Sequence, residues 1–392
     1  MNAHQHATAK APLRIHVWVP DYASAIGGIQ TFSRFIVRAL RDVFPEAEIA
    51  VFSKNDTSYP DPASDPANSF TPMGWWNPKL RTPEFAWGLL QAAARERPDV
   101  VITAHVNFAP VARLLQKLLR IPYVAVGHGV EVWEIRNRQV RSALRAADRL
   151  LAVSEFTRRR MASALTLDPN RIALLPNTFD PDQFYPDRKP HYLLKRYGLE
   201  PNQPVILTIA RLAGAERYKG YDQLLRALPL VREQFPNVRY VLGGRGADRA
   251  RIETLIRELG VSANVTLAGY VADHELRSHY NLCDVFAMPS KGEGFGIVFL
   301  EALGCGKPVL AGNKDGSVDA VLNGKLGVLI DPDNVPEIAN ALIAVLGRKY
   351  SNGTISDPDA LRGCAIDAYG YQRFRERLGE VLSPILEQED RR

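Results

Sequence analysis

From Arg14 onward, short runs rich in β-branched and aromatic residues alternate with amphipathic stretches. That alternation is the signature of parallel strands covered by helices. Arg14 to Val19 (R-I-H-V-W-V) reads as a first strand, and Gly27-Gly28 opens a helix running to about Arg41. Further strands are expected at Ile49 to Ser53, Val100 to Thr103, Pro122 to Val126 and Arg149 to Val153, each followed by helix-like sequence except Ile49 to Ser53. That one leads into Asp56 to Pro83, which is rich in Pro, Ser and Asn and reads as a long loop. Prolines at 176, 181, 186 and 190 then break both helix and sheet. After them the same grammar restarts, with strands expected at Pro204 to Ala210, Val238 to Leu242, Val265 to Ala268, Asp284 to Met288, Pro308 to Ala311 and Gly327 to Ile330. The pattern predicts an α/β protein of two doubly wound, Rossmann-like units, residues 1–185 and 186–365. A charged helical tail over 366–392 could pack back on the first unit.

Composition narrows this picture without redirecting it. At 392 residues the chain can bury two cores, and 46% hydrophobic with 23% charged residues is ordinary for a globular protein. The net charge of +6 suits anionic ligands or an anionic membrane surface, and does not by itself imply nucleic acid. Cys283, Cys305 and Cys364 are far apart, in apolar or small-residue contexts, with no metal-ligand spacing; they read as reduced thiols. The N-terminal stretch lacks the apolar core of a signal peptide, and no uncharged apolar run reaches membrane-span length. A cytoplasmic chain is therefore expected, with any membrane contact peripheral.

The stretch with the most chemistry is Lys291 to Val309, K-G-E-G-F-G-I-V-F-L-E-A-L-G-C-G-K-P-V. A strand ending near Met288 feeds a glycine-rich turn and then an apolar helix. Backbone N–H groups of Gly294, Phe295 and Gly296 at such a helix start favour a phosphate, with Ile297 following on the helix. Glu293 and Glu301 make poor phosphate neighbours and good acceptors for hydroxyls, one for a sugar ring and the other for a ribose diol. Arg211 and Lys219, eight positions apart after the first strand of the second unit, could reach the same cleft and offset the charge of a leaving diphosphate. Gly28, in the turn after the first strand, would let backbone approach that diphosphate from the other side. His128 stands between two glycines, where little packs against its ring; Glu131 and Trp133 follow it, and His105 ends another first-unit strand. His105, Glu131 and Trp133 are candidates for acceptor contacts. The run G-G-R-G-A-D lacks the third glycine of a dinucleotide fingerprint, so Arg245 and Tyr270 are read as neighbours of a nucleotide base. Asp331-Pro332-Asp333 reads as a turn rather than a metal site, and no obligatory metal is expected. Arg138, Arg141 and Arg145 recur at helical spacing, and with Trp75-Trp76 could meet anionic lipid.

Taken jointly, the Glu293–Glu301 pair, P-N-T-F-D at 176–180, A-R-L-A-G-A-E-R-Y-K-G at 210–220, L-G-G-R-G at 242–246 and A-G-N-K-D-G-S at 311–317 resemble the retaining glycosyltransferases of family 4. The resemblance spans most of the chain and implies the GT-B architecture, two Rossmann-like domains facing across a cleft. It implies that Arg211 and Lys219 hold the donor diphosphate, that the Gly28 loop closes on the donor, and that His128 and Glu293 lie near the transferred sugar, with Glu301 on the ribose. The expected reaction moves a hexose from a UDP- or GDP-sugar to a glycan or lipid-linked polysaccharide precursor. Anomeric configuration is expected to be retained, by a same-face substitution in which the leaving phosphate helps to deprotonate the acceptor. Two other classes share the fold: a sugar-nucleotide 2-epimerase, and a binding protein that has lost turnover.

Overall fold

The computed structural model describes residues 12–23, 27–61, 65–75, 77–349 and 352–389; Trp76 and the N-terminal eleven residues lie outside them. The first sheet holds seven strands: β1 (Arg14–Val19), β2 (Glu48–Ser53), β3 (Ser69–Pro72), β4 (Val100–Thr103), β5 (Tyr123–Gly127), β6 (Arg149–Ala152) and β7 (Ile172–Leu174). The second holds six: β8 (Val205–Ile209), β9 (Arg239–Gly243), β10 (Val265–Gly269), β11 (Val285–Met288), β12 (Val309–Gly312) and β13 (Gly327–Ile330). Every pairing in both sheets is parallel. Helices cover both faces, so central strands such as V-V-I-T and V-F-A-M are buried along their whole length. The fold is GT-B, two Rossmann-like sheets with their helices.

Strand order decides where ligands go. The sheets run β3-β2-β1-β4-β5-β6-β7 and β10-β9-β8-β11-β12-β13, so each winding reverses direction beside its first strand, between β1 and β4 and between β8 and β11. Strands that turn outward on opposite sides of such a point leave a crevice at their carboxyl ends. The two crevices open on one another, and the loops after β1, β8 and β11 meet there.

Three sequence expectations are corrected. Asp56 to Pro83 is not a continuous loop: Ser69–Pro72 adds a parallel edge strand to β2, and Arg81 already begins the helix Arg81–Glu96. The Pro- and Asn-rich composition hid a strand whose partner supplies the hydrogen bonds. The short strand Ile172–Leu174 has three residues, too few for periodicity to register, and is held by its pairing with β6. The tail is two helices, Pro358–Tyr369 and Tyr371–Glu389, broken at Gly370, whose neighbour across the gap is Phe179 through an isolated bridge. The second of them lies on the helix Gly28–Val43: Phe374 meets Phe32 edge-on at 5.8 Å, and the Tyr371 hydroxyl donates to Asp42 at 2.6 Å. Cys283 and Cys305 are buried and Cys364 is exposed, all free. No helix among the described residues is long and apolar enough to cross a membrane.

Candidate active site

Between the two sheets lies a cavity of about 690 Å³. The first unit contributes Tyr22, Gly27 and Gly28; the second contributes Ile209 at the end of β8 and Lys219 after it, and Glu293, Gly296, Ile297 and Glu301 after β11. These last residues stand where they do because the chain turns sharply. Gly296 caps the helix Ile297–Gly304 at φ +94°, a backbone conformation an L side chain strains to adopt, and a Cβ there would meet the Phe299 ring at 2.5 Å. The helix start thus faces the cavity while Phe299, fully buried, anchors the turn from below.

The carboxylates have different surroundings. Glu293 accepts from Lys219 Nζ at 2.9 Å, and both side chains are mostly covered. Burial works against the Lys219 charge, but Glu293, Tyr218 and Glu216 together outweigh it and raise the ammonium above its usual value. Glu301 sits on the inner side of the helix, where the Tyr280 hydroxyl donates to it at 2.6 Å. Burial pushes its carboxyl up to about 7 against that hydrogen bond. Arg211 is 74% exposed on its side chain and reaches Glu216 Oε1 at 2.6 Å; it does not line the cavity. Arg217, which intervenes in sequence, is engaged elsewhere, with Asp248 at 2.6 Å. Asp248 is also gripped by Arg251 and Tyr221, and the Arg251 and Arg217 guanidiniums, with the Tyr221 hydroxyl, hold its carboxyl well below the usual range. Arg217→Ala should therefore leave transfer within about twofold of wild type in a steady-state assay, since the lost contact lies outside the cavity.

Two models match the chain. "Glycosyltransferase Family 4" covers residues 26–183 and "Glycosyl transferases group 1" covers residues 193–352. Among curated relatives, the GDP-mannose-dependent alpha-(1-6)-phosphatidylinositol monomannoside mannosyltransferase of Mycolicibacterium smegmatis is 36% identical over 276 residues, 66% of this chain and 69% of that protein. The chain belongs to glycosyltransferase family 4. A GDP-mannose-dependent monoacylated alpha-(1-6)-phosphatidylinositol monomannoside mannosyltransferase of Corynebacterium glutamicum matches over nearly the full length, 29% identical across 95% of this chain and 97% of that one. The Mycobacterium tuberculosis counterpart of the first is 37% identical, over 57% of this chain and 60% of its own. Sucrose-phosphate synthase of Thermosynechococcus elongatus shares the fold, with a TM-score of 0.80 over 96% of this chain and 100% of that one at 21% identity. This chain is a glycosyltransferase that uses a nucleotide sugar.

The structure distributes the other family 4 candidates around the cavity's rim and beyond it. His128 is half-buried on the loop after β5. Its Nε2 pairs with the Ala104 carbonyl at 2.9 Å, its ring meets Phe32 edge-on at 4.8 Å, and burial lowers its basicity. Glu131 turns one carboxylate oxygen back to accept from the His128 and Gly129 backbone N–H groups, bracing that loop. His105 accepts from the Asn107 N–H at 3.2 Å, and Trp133 donates to Thr157 at 3.4 Å beside a separate, smaller cavity. Arg245 lies over the Tyr270 ring at 4.7 Å; neither lines the main cavity, nor does Gly294 or Phe295. Phe295 instead packs edge-on against Tyr369 at 5.3 Å.

Gly294 also marks a contact between the units. A Cβ there would fall 1.6 Å from the His128 carbonyl oxygen, so the two units touch backbone to backbone at this point. Thr157 adds a hydrogen bond to the Gly294 carbonyl at 3.3 Å. Gly294→Ala must push the units apart. Transfer is expected to fall by at least about tenfold with both sheets intact, because even a 1 Å displacement of reacting groups costs that order. Small-angle scattering should report a larger radius of gyration, with far-UV circular dichroism unchanged.

Two residues escaped the sequence reading. Tyr280, partner of Glu301, lies in an unremarkable helix and carries no local signal. Asp315, inside A-G-N-K-D-G-S, is fully buried and accepts from Glu293 N–H at 2.7 Å, Ser290 Oγ at 2.7 Å and Ser317 N–H at 3.0 Å. It fixes the Glu293 backbone, and burial raises its carboxyl above the ordinary value. The acidic position in that motif was visible; that it clamps a loop more than twenty residues upstream was not.

Proposed function

We propose that this enzyme transfers mannose from GDP-mannose, with retention of configuration and without a metal, to the sugar of an inositol-bearing, lipid-linked acceptor. The observation that carries the reading is the convergence of Lys219, Glu293, Glu301 and the Gly27–Gly28 turn on one inter-sheet cavity, in a chain whose relatives are named as GDP-mannose-dependent mannosyltransferases of phosphatidylinositol mannosides. In this reading Lys219 and Arg211 take the diphosphate, exchanging their carboxylate partners for phosphate oxygens. Glu293, released from Lys219, accepts from the mannose hydroxyls, and Glu301 from the ribose diol. The helix start at Gly296 and the turn at Gly28 bring backbone N–H groups from either side. The acceptor hydroxyl attacks the face the diphosphate leaves. The departing phosphate oxygen takes its proton, and fixed cations offset the charge.

A lipid acceptor would bring the first unit to an anionic membrane surface. Trp75 and Trp87 are exposed there at 72% and 62%, with Leu80 between them in sequence. The arginine stripe is a weaker support for such contact, since Arg141 and Arg145 donate to the Ile135 and Leu165 carbonyls.

The test is nucleotide release from GDP-mannose, GDP-glucose, UDP-glucose and UDP-galactose, each with and without phosphatidylinositol mannoside, in buffer containing EDTA. Acceptor-stimulated release from GDP-mannose, with an α-linked product by NMR, is expected. Sugar isomerisation without acceptor would point to the epimerase, and strict dependence on added divalent metal would end the metal-free reading.

A further inference from the structure

The loop between β8 and the following helix carries a carboxylate that the donor-binding reading does not use. Glu216 lies between Arg211 and Lys219 in sequence, and its carboxylate lies between them in space. Arg211 Nη2 is 2.6 Å from Oε1 and Lys219 Nζ is 4.0 Å from Oε2. Its side chain is only 12% exposed, although Arg211 is largely in solvent. The backbone bends to bring it there: Glu216, at φ −109° and ψ 15°, interrupts the 3-10 turn Gly214–Lys219, and its own N–H is held by the Ala213 carbonyl at 2.8 Å. Oε2 is buried and makes no hydrogen bond among the described residues. A buried carboxylate oxygen left unsatisfied costs free energy, so its position needs a reason.

We propose that Glu216 is a resident counter-anion of the donor site, a carboxylate that occupies the two cations until a diphosphate displaces it. The inference rests on the reading of Arg211 and Lys219 as the diphosphate's cations. With Glu293 on the other side of Lys219, the cluster comprises two cations and two carboxylates, a neutral set. A simple anion entering it must separate both ion pairs and gains only the cations. A nucleotide sugar also brings hydroxyl donors to the carboxylates that it displaces, so it loses less. Glu216 therefore weakens inorganic anions and the sugar-free nucleoside diphosphate more than it weakens the donor, which favours release of the product. It acts through Arg211 and Lys219 and is a positioning residue, not a catalytic one.

The test compares wild type with Glu216→Gln, Glu216→Ala and Lys219→Met by calorimetric titration of GDP, UDP and inorganic pyrophosphate, alongside steady-state transfer. Removing the competing charge should tighten pyrophosphate and the better-bound nucleoside diphosphate by about tenfold in both Glu216 variants, a figure discounted for the exposure of Arg211. It should also steepen the salt dependence of that binding. The donor KM should fall less than the nucleoside diphosphate Kd, and kcat should fall as product lingers. A Glu216 residue that merely orients the cations predicts the opposite sign, so weaker or unchanged binding in both variants overturns the proposal. If Lys219→Met binds all three ligands as wild type does, the reading of the cations fails and the inference falls with it. If Lys219→Met weakens binding while the Glu216 variants do not strengthen it, only the inference fails.

Discussion

Lys219→Ala is expected to leave a folded protein with little transfer, kcat/KM reduced by about 10²–10³. The magnitude follows from what a fixed cation in a water-poor site contributes when a diphosphate departs, about 3–4 kcal/mol. The ammonium is mostly covered, and Glu293 and Glu216 both face it, so its removal strands Glu293 in the cavity and leaves Glu216 to Arg211 alone. Repulsion between the two carboxylates should make donor binding worse than the loss of one phosphate contact alone would. The informative measurement is single-turnover transfer at saturating donor, beside a thermal melt. More than about a tenth of wild-type turnover in the variant would remove Lys219 from the site as read.

Glu301→Gln has the second largest expected effect, and its sign depends on pH. The carboxyl titrates near 7 in the folded protein against an ordinary value of 4.5, so the native state holds a proton between those values that the unfolded chain has released. Stability is therefore lost as pH rises from about 4.5 to about 7, and the penalty is complete above it, on the order of 3 kcal/mol. The amide keeps an acceptor for the Tyr280 hydroxyl and cannot ionise. Glu301→Gln should melt with wild type near pH 5 and above it at pH 8. Donor binding should move the other way. Hydroxyl donors prefer the carboxylate, so wild-type donor affinity should rise through pH 6 to 7 and level off near 8. The variant should bind weakly with a flat profile. Parallel binding profiles for the two proteins would separate Glu301 from the donor.

These effects illustrate why natural sites are not stability optima: a carboxylate held on the inner side of an apolar helix is expensive until a ligand arrives to use it. Asp315 extends the same logic one layer out, where a second buried carboxylate fixes the loop that presents Glu293.

Much of this was legible in the chain itself. Alternating apolar runs announced thirteen strands incompletely but placed eleven, and the proline cluster at 176–190 falls between the last strand of one sheet and the first helix of the next, because local composition governs where a chain can and cannot be regular. Motif spacing named the family, and the glycine before Ile297 signalled a turn only glycine accepts without strain. The tertiary structure alone decided which charges meet. Lys219 could have faced solvent, Arg217 rather than Arg211 could have reached Glu216, and Glu301 could have been an exposed first-turn acid. Each of these depends on contacts between residues far apart in sequence, Tyr280 on Glu301, Asp248 on Arg217, Glu293 on Lys219. Coulomb and desolvation energies follow distance and burial in space, which no periodicity along a chain encodes.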